Sequence, residues 1–217
     1  MWALAHLRSI TKQRGSIVES TLLPGRKIIP TIHPSAALRK HEDSREGEGT
    51  WLYRYFIAYD LRRIKKESEY PDIRLRQRSL ITSPSFEEAL EFLSNCKSCS
   101  LVGYDIEIRG GHLSHIAFAT SPDLAISIPF IEGALDKWTP EQESDLMKSI
   151  TSVLEEPSIT KIVQNASFDA TFMYYNYGIN VHPLHDTMIA SAVLFPDFPK
   201  DLGFLVSIYC GGEPFYK

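Results

Sequence analysis

The sequence has no long hydrophobic run. No apolar stretch among its 217 residues approaches the roughly 20 that a membrane helix needs, so no membrane partner is expected. The opening MWALAHLRSITKQRG lacks a charged start, a long apolar centre and a small-residue cleavage site, and does not read as a signal peptide. Cysteine is scarce, with only Cys96, Cys99 and Cys210. An odd count without an export signal points to a reducing compartment. Cys96 and Cys99 have no second ligand pair beside them, so they read as two thiols packing near a helix end rather than as a zinc or redox site. No strong charge of one sign is present either. The net charge of −4 excludes a bulk polyanion binder. The 13 prolines and 12 glycines are spread along the chain, without repeats, which excludes collagen-like and low-complexity classes.

What is present is an uneven charge distribution. Most arginines lie in residues 1–80, in runs such as Arg62-Arg63-Ile64-Lys65-Lys66 and Arg74-Leu75-Arg76-Gln77-Arg78. From about Ser83 the chain is acidic. A basic segment joined to an acidic one suggests phosphate contacts on one side and metal-binding carboxylates on the other. For Arg62–Lys66 alone a solvated helix face is the better reading.

Residue patterns give the elements. Residues 26–32 read as a strand, Ser35 to about Lys40 as a helix, and Trp51 to Glu67 as a helix capped by Thr50. The apolar face of that helix is predicted at Leu52, Tyr55, Phe56, Tyr59 and Ile64. Residues 73–82 read as an edge strand, and Ser83 to Cys96 as a helix with its start signal. Strands are predicted at 101–108, 112–119 and 124–129, with Gly110-Gly111 as the first turn. Pro140–Glu155 is helical, 160–163 a short buried strand, and 167–177, 187–194 and 201–209 are helices. The order argues for an α/β mixed sheet flanked by helices.

Two clusters carry chemistry. In Val102-Gly103-Tyr104-Asp105-Ile106-Glu107-Ile108 the two carboxylates are two residues apart and project from one strand face. Two ionised acids on one face of an apolar strand repel, and a cation relieves the cost. All-oxygen donors suit Mg²⁺ or Mn²⁺. In Lys161-Ile162-Val163-Gln164-Asn165-Ala166-Ser167-Phe168-Asp169 a strand runs into a helix start, with Asn165 near the N-cap and Asp169 in the first turn. An acid there also suits the helix dipole.

These residues resemble the first two motifs of the DEDD 3′–5′ exonuclease superfamily, in particular the proofreading domains of family A DNA polymerases. Asp-Ile-Glu with Gly-Gly-His-Leu-Ser-His-Ile-Ala-Phe-Ala is similar to the first motif, and Asn-x-x-x-Asp to the second. His185-Asp186-Thr187-Met188 with Pro199-Lys200-Asp201-Leu202 resembles the segment that follows. The resemblance covers about residues 80–217. It implies a ribonuclease-H-like fold, two divalent ions held in part by Asp105, Glu107 and Asp169 as catalytic ligands, and in-line hydrolysis from a single-stranded DNA 3′ end. Asn165, Phe168, Ile106 and His112 are the DNA-contact candidates, a DNA polymerase chain is a candidate partner, and no nucleotide cofactor is expected. The expected compartment is the cytoplasm of a bacterial or phage-infected cell. The family's third motif, Tyr-x-x-x-Asp or His-x-x-x-x-Asp, has no counterpart. Tyr209 to Glu213 fits the stretch before it better, and His182 to Asp186 comes too soon. The chain is expected to stop short of the fourth carboxylate, with weak or absent catalysis and partial metal binding.

Arg14 to Glu19, and Gly25 to Arg39 with its His33-Pro34-Ser35-Ala36 loop, resemble the C-terminal part of family 4 uracil-DNA glycosylases. His33 would match the catalytic-loop histidine and Leu38-Arg39 the DNA-contacting end. The front half of such an enzyme is missing, so no glycosylase activity is expected. The implied organisation is a glycosylase-like α/β remnant over 1–72 and an exonuclease-like domain over 73–217. The competing reading is a non-catalytic DNA-binding or polymerase accessory subunit. A degenerate uracil-DNA recognition protein is a third.

Overall fold

The computed structural model describes residues 9–38, 52–74 and 76–210. The chain divides into one unit of residues 1–75 and 195–217 and a second of residues 76–194. Among the described residues no helix is long and apolar enough to cross a membrane.

The first unit opens with α1 (Ile10–Gln13), whose N-cap Ser9 accepts from the Lys12 N–H. A two-stranded antiparallel ribbon follows, β1 (Val18–Glu19) and β2 (Lys27–Ile28). The strand predicted over 26–32 is thus only two residues long. Pro30 has no N–H to continue a ladder. Then come α2 (Pro34–Leu38) and α3 (Leu52–Glu67). The predicted helix start at Thr50 and Trp51, and the predicted end at Lys40, lie outside the described residues. The face of α3 differs from expectation: Leu52, Phe56, Asp60 and Glu67 are buried, while Tyr55 is exposed. The inward stripe includes two acids because each has a cation waiting. Arg14 meets Asp60 at 2.6 Å, and Lys27 meets Glu67 at 2.9 Å.

The second unit is built on a six-stranded sheet. Its elements in order are β3 (Ser79–Ile81), α4 (Phe86–Cys96), β4 (Leu101–Arg109), β5 (His112–Ser121), β6 (Leu124–Pro129), a ribbon of β7 (Ile131–Glu132) and β8 (Leu135–Asp136), α5 (Pro140–Leu154), β9 (Thr160–Val163), α6 (Ala166–Tyr177), β10 (Leu184–Asp186) and α7 (Thr187–Leu194). α8 (Leu202–Tyr209), capped by Asp201, belongs to the first unit. The strand order is β10-β9-β4-β5-β6-β3. The centre is an antiparallel meander, and β3, β9 and β10 pair parallel to their neighbours.

Local chemistry explains the elements. Gly110 and Gly111 both have positive φ, 60° and 84°, which a two-residue hairpin turn between β4 and β5 requires. Capping boxes start α4 (Ser85 with Glu88) and α5 (Thr139 with Gln142). Val102, Tyr104 and Ile106 of β4 share one buried cluster with Ile116, Phe118, Ile126 and Ile128 from the adjacent strands. Leu93 of α4 and Leu146 and Ile150 of α5 complete it. This is the mixed α/β, ribonuclease-H-like sheet expected from the sequence. The β7–β8 ribbon and β10 were not foreseen, being two or three residues long.

Candidate active site

The alternation along β4 sends Tyr104 and Ile106 into the core and leaves Asp105 and Glu107 exposed. β9 pairs with β4 only from Leu101 to Gly103. Among the described residues no strand continues that edge beyond Gly103. Asp169, in the first turn of α6, takes the place of a strand there: its Oδ1 accepts from the Ile106 N–H at 3.0 Å. One short strand and one helix start therefore bring the second sequence cluster against the first.

The electrostatics follow from that placement. Asp169 is only 3% exposed. Burial, reinforced by the charges of Asp105 and Asp186, pushes its carboxyl up to about 6 even though the Ile106 N–H opposes the shift. Asp105 is thus close enough to disfavour the ionised form of Asp169. Tyr104 sits beside the same two acids. Its phenol is raised by burial first and then by Asp169 and Asp105, and its buried hydroxyl has no hydrogen-bond partner among the described residues.

Asp186, at the end of β10, organises the scaffold. Its carboxylate accepts from the N–H groups of Ala166 (2.7 Å) and Asn165 (3.2 Å), and from Met188 (2.8 Å) and Ile189 (3.3 Å). It caps α6 and α7 together. Burial works to raise its pKa, but these four donors outweigh burial and hold it below the usual carboxylate value. In the sequence, Asp186 falls in the segment that resembles the stretch after the second motif, and as the acid of a third motif it comes too soon. The readable signal was an Asp-Thr pair opening an apolar helix.

The remaining candidates separate. Asn165 is exposed at the start of α6, in the left-handed region with φ 68° and ψ 56°, and makes no side-chain cap bond. Phe168 is exposed on the same turn as Asp169. His112 is exposed at the β4–β5 turn, opposite Arg109. Ile106, a DNA-contact candidate, can offer only its backbone. Its side chain is 4% exposed in the core and only its backbone reaches the site. His33 lies in the first unit, where its Nδ1 bonds the Ser35 hydroxyl at 2.7 Å and receives the Ser35 N–H. That imidazole closes a helix-starting turn. Arg39 lies outside the described residues.

A divalent cation fits the donor chemistry of Asp105, Glu107 and Asp169. They are hard oxygen donors, and the buried acid among them is raised first by burial and then by its like-charged neighbours. The donor count is short. Among the described residues no three His, Cys, Asp or Glu side chains form a closed group able to hold an ion.

Comparison with known proteins is decisive for the family. The sequence profile of the 3′–5′ exonuclease family matches residues 79–217. The chain belongs to this family. No curated protein matches the chain. Among solved structures, this chain resembles the catalytic core of RRP6 from Trypanosoma brucei, with 17% identity, a TM-score of 0.51, and 64% of this chain covering 36% of that one. It is also similar to Escherichia coli RNase D, an exoribonuclease involved in structured RNA processing, at 21% identity and a TM-score of 0.46, with 63% and 34% covered. Brucella melitensis NrnC bound to pGG matches at 18% identity and a TM-score of 0.46, with 65% and 63% covered. This chain spans about a third of the length of the first two of these proteins. The RRP6 likeness speaks for the fold alone.

Proposed function

We propose that this chain carries the hydrolytic centre of a proofreading-type 3′–5′ exonuclease acting on the 3′ end of single-stranded DNA. The observation that carries the reading is the Asp169 carboxylate held against β4 between Asp105 and Glu107, within a segment that belongs to the exonuclease family. Asp105, Glu107 and Asp169 would hold two divalent cations, Mg²⁺ or Mn²⁺, which when bound supply charge neutralisation and an activated water. The chain's own residues do the positioning. Asp105 and Glu107 face outward on a strand whose reverse side is core, so they are accessible yet rigidly based. Phe168, exposed one residue before Asp169, offers a ring on which a terminal base can stack. Asp186 fixes the start of α6, and with it Asn165, Phe168 and Asp169. The cytoplasm is the compartment we assign.

One observation favours a second reading, an accessory DNA-binding subunit. The described residues furnish three carboxylates of this kind and no closed ligand group. A single assay separates the two. Purified protein is incubated with 3′-labelled single-stranded DNA or RNA in Mg²⁺ or Mn²⁺, beside Asp105→Ala. The exonuclease reading expects mononucleotide release from DNA that Asp105→Ala abolishes. Binding without degradation favours the accessory subunit. Faster release from RNA than from DNA refutes the proofreading assignment.

A further inference from the structure

The carboxylate face of the β4–β5 arm carries groups that neither the family match nor the sequence reading uses. The pairing places Glu107 opposite His115, then jumps, with Ile108 opposite Leu113 and Arg109 opposite His112. Ser114 is therefore an extra residue in β5, a β-bulge at the level of the carboxylates. Bulges re-aim side chains, and they concentrate beside active sites. Here the bulge leaves His115 as the cross-strand neighbour of Glu107, on the same sheet face. Such neighbours have Cβ atoms about 5 Å apart.

The ring is held in place. Ser114 Oγ and His115 Nδ1 lie 2.6 Å apart, which leaves Nε2 to meet a ligand. His115 is half-buried while Glu107 is exposed, so the imidazole lies low on the surface beside the carboxylate. Two residues beyond Glu107 along β4, on the same face, stands Arg109. It is exposed, and its Nη1 is anchored on the Gly133 carbonyl at 2.6 Å, with the other guanidinium donors left over. From Asp105 outward this face reads acid, acid, imidazole, guanidinium. Hydrogen-bond donors and a cation begin where the carboxylates stop. A polyanion entering a carboxylate site needs such a sequence, because its trailing phosphates would otherwise meet only negative charge.

We infer that His115 and Arg109 form a phosphate track on the β4–β5 arm, contacting the phosphodiesters of a single-stranded nucleic acid next to its 3′ end. This rests on the exonuclease reading above. It names two substrate contacts which that reading does not contain. His115 acts as a hydrogen-bond donor through Nε2, positioned by Ser114. Arg109 supplies the charge further along the strand.

The test is fluorescence anisotropy with a labelled, phosphorothioate-linked DNA strand of about ten nucleotides in Mg²⁺, across a range of salt, with thermal melting checked for each variant. His115→Ala is expected to weaken binding about 3- to 10-fold. His115→Gln, which keeps an N–H donor, is expected to recover most of it, and Ser114→Ala to give a smaller loss. Arg109→Ala is expected to weaken binding about tenfold and to lower the slope of log K against log salt by about one. Lys148→Ala, which removes an exposed charge on α5, should leave affinity unchanged. Wild-type affinity in both His115→Ala and Arg109→Ala overturns the inference. So does a loss in Lys148→Ala equal to that in Arg109→Ala, because bulk charge would then explain the effect. No recovery in His115→Gln refutes the hydrogen bond. Wild-type protein that binds no single strand at all is a failure of the exonuclease reading itself, and is distinguishable from these outcomes.

Discussion

Each unit of the molecule buries an aspartate, and the two are treated in opposite ways. Asp60, in the first unit, is 1% exposed and meets the Arg14 guanidinium at 2.6 Å and the Thr31 hydroxyl at 2.7 Å. Arg14 in turn lies over the Phe56 ring at 4.5 Å and donates to the Ser207 hydroxyl. Asp169, in the second unit, is 3% exposed and receives backbone N–H groups, that of Ile106 at 3.0 Å among them, while the charges acting on it, Asp105 and Asp186, are of its own sign. The first arrangement satisfies a charge from within the chain. The second leaves negative charge concentrated at a surface-facing site, which is what a cation or an incoming group must neutralise. Burial alone does not mark a functional acid; the sign of its neighbours does.

The largest effect is expected from breaking the satisfied pair. Arg14→Met keeps bulk beside Phe56 but leaves Asp60 buried without its cation. The cost should be about 3–5 kcal/mol in the first unit, read by urea denaturation. Combining it with Asp60→Leu should recover much of that loss, because the isolated charge is then gone. If Arg14→Met costs no more than a surface substitution, Asp60 is not held by the pair and the contrast between the units disappears.

The opposite outcome is expected for Asp169→Asn. The amide oxygen can still accept from the Ile106 N–H, and the unfavourable charge is removed. The folded carboxyl titrates at about 6 against an ordinary value of 3.8. Between these values the folded state holds more protons than the unfolded one, so wild-type stability falls as pH rises through this window and is then level. The variant should therefore be more stable than wild type by about 1–3 kcal/mol at pH 7.5, and equal to it below about pH 4. Mg²⁺ should raise the melting temperature of wild type and not of the variant. A variant less stable than wild type at neutral pH would show that Asp169 is structural, like Asp60.

The difference between the two aspartates was only half legible in the sequence. Asp105, Glu107 and Asp169 stood out because acids in apolar strands and at a short strand's exit break the local pattern. Strand period two placed the first pair on one face without any tertiary information. Asp60 was invisible: it lies on a helix with charges on every side, and its partner is 46 residues away. The inward face of α3 was misread for the same reason, since a paired charge can be buried and periodicity scores only apolar residues. In α7, Ser191 is buried while Ile189 and Val193 are exposed, the reverse of what hydropathy alone predicts. For Ile106 the motif names a residue, whereas the side chain is core and the backbone N–H faces Asp169. The bulge at Ser114 depends on register between two strands, which one sequence does not state.

Asp186 stands between the two extremes and gives the smallest, most specific test. Among the described residues it has no cation partner, yet four backbone donors at the starts of α6 and α7 hold its pKa below the ordinary carboxylate value. A lowered carboxyl contributes stability that is fully present above about pH 4 and is lost as pH falls through the folded value. Asp186→Asn retains one carbonyl oxygen, which in the Oδ1 position still accepts from Asn165, Met188 and Ile189, while the amide group replacing Oδ2 no longer accepts from Ala166 and the charge is gone. The expected cost is about 1–2 kcal/mol at pH 7, in the range of a helix cap, shrinking as the pH is lowered. This slope is opposite in sign to that of Asp169→Asn, although both variants exchange one aspartate for asparagine in the same unit. Parallel pH profiles for the two would show that they are responding to net charge alone. Profiles that diverge from a common low-pH limit, one rising and one falling relative to wild type, would locate the difference in the neighbours of each carboxylate: N–H dipoles around Asp186, and burial with like charge around Asp169.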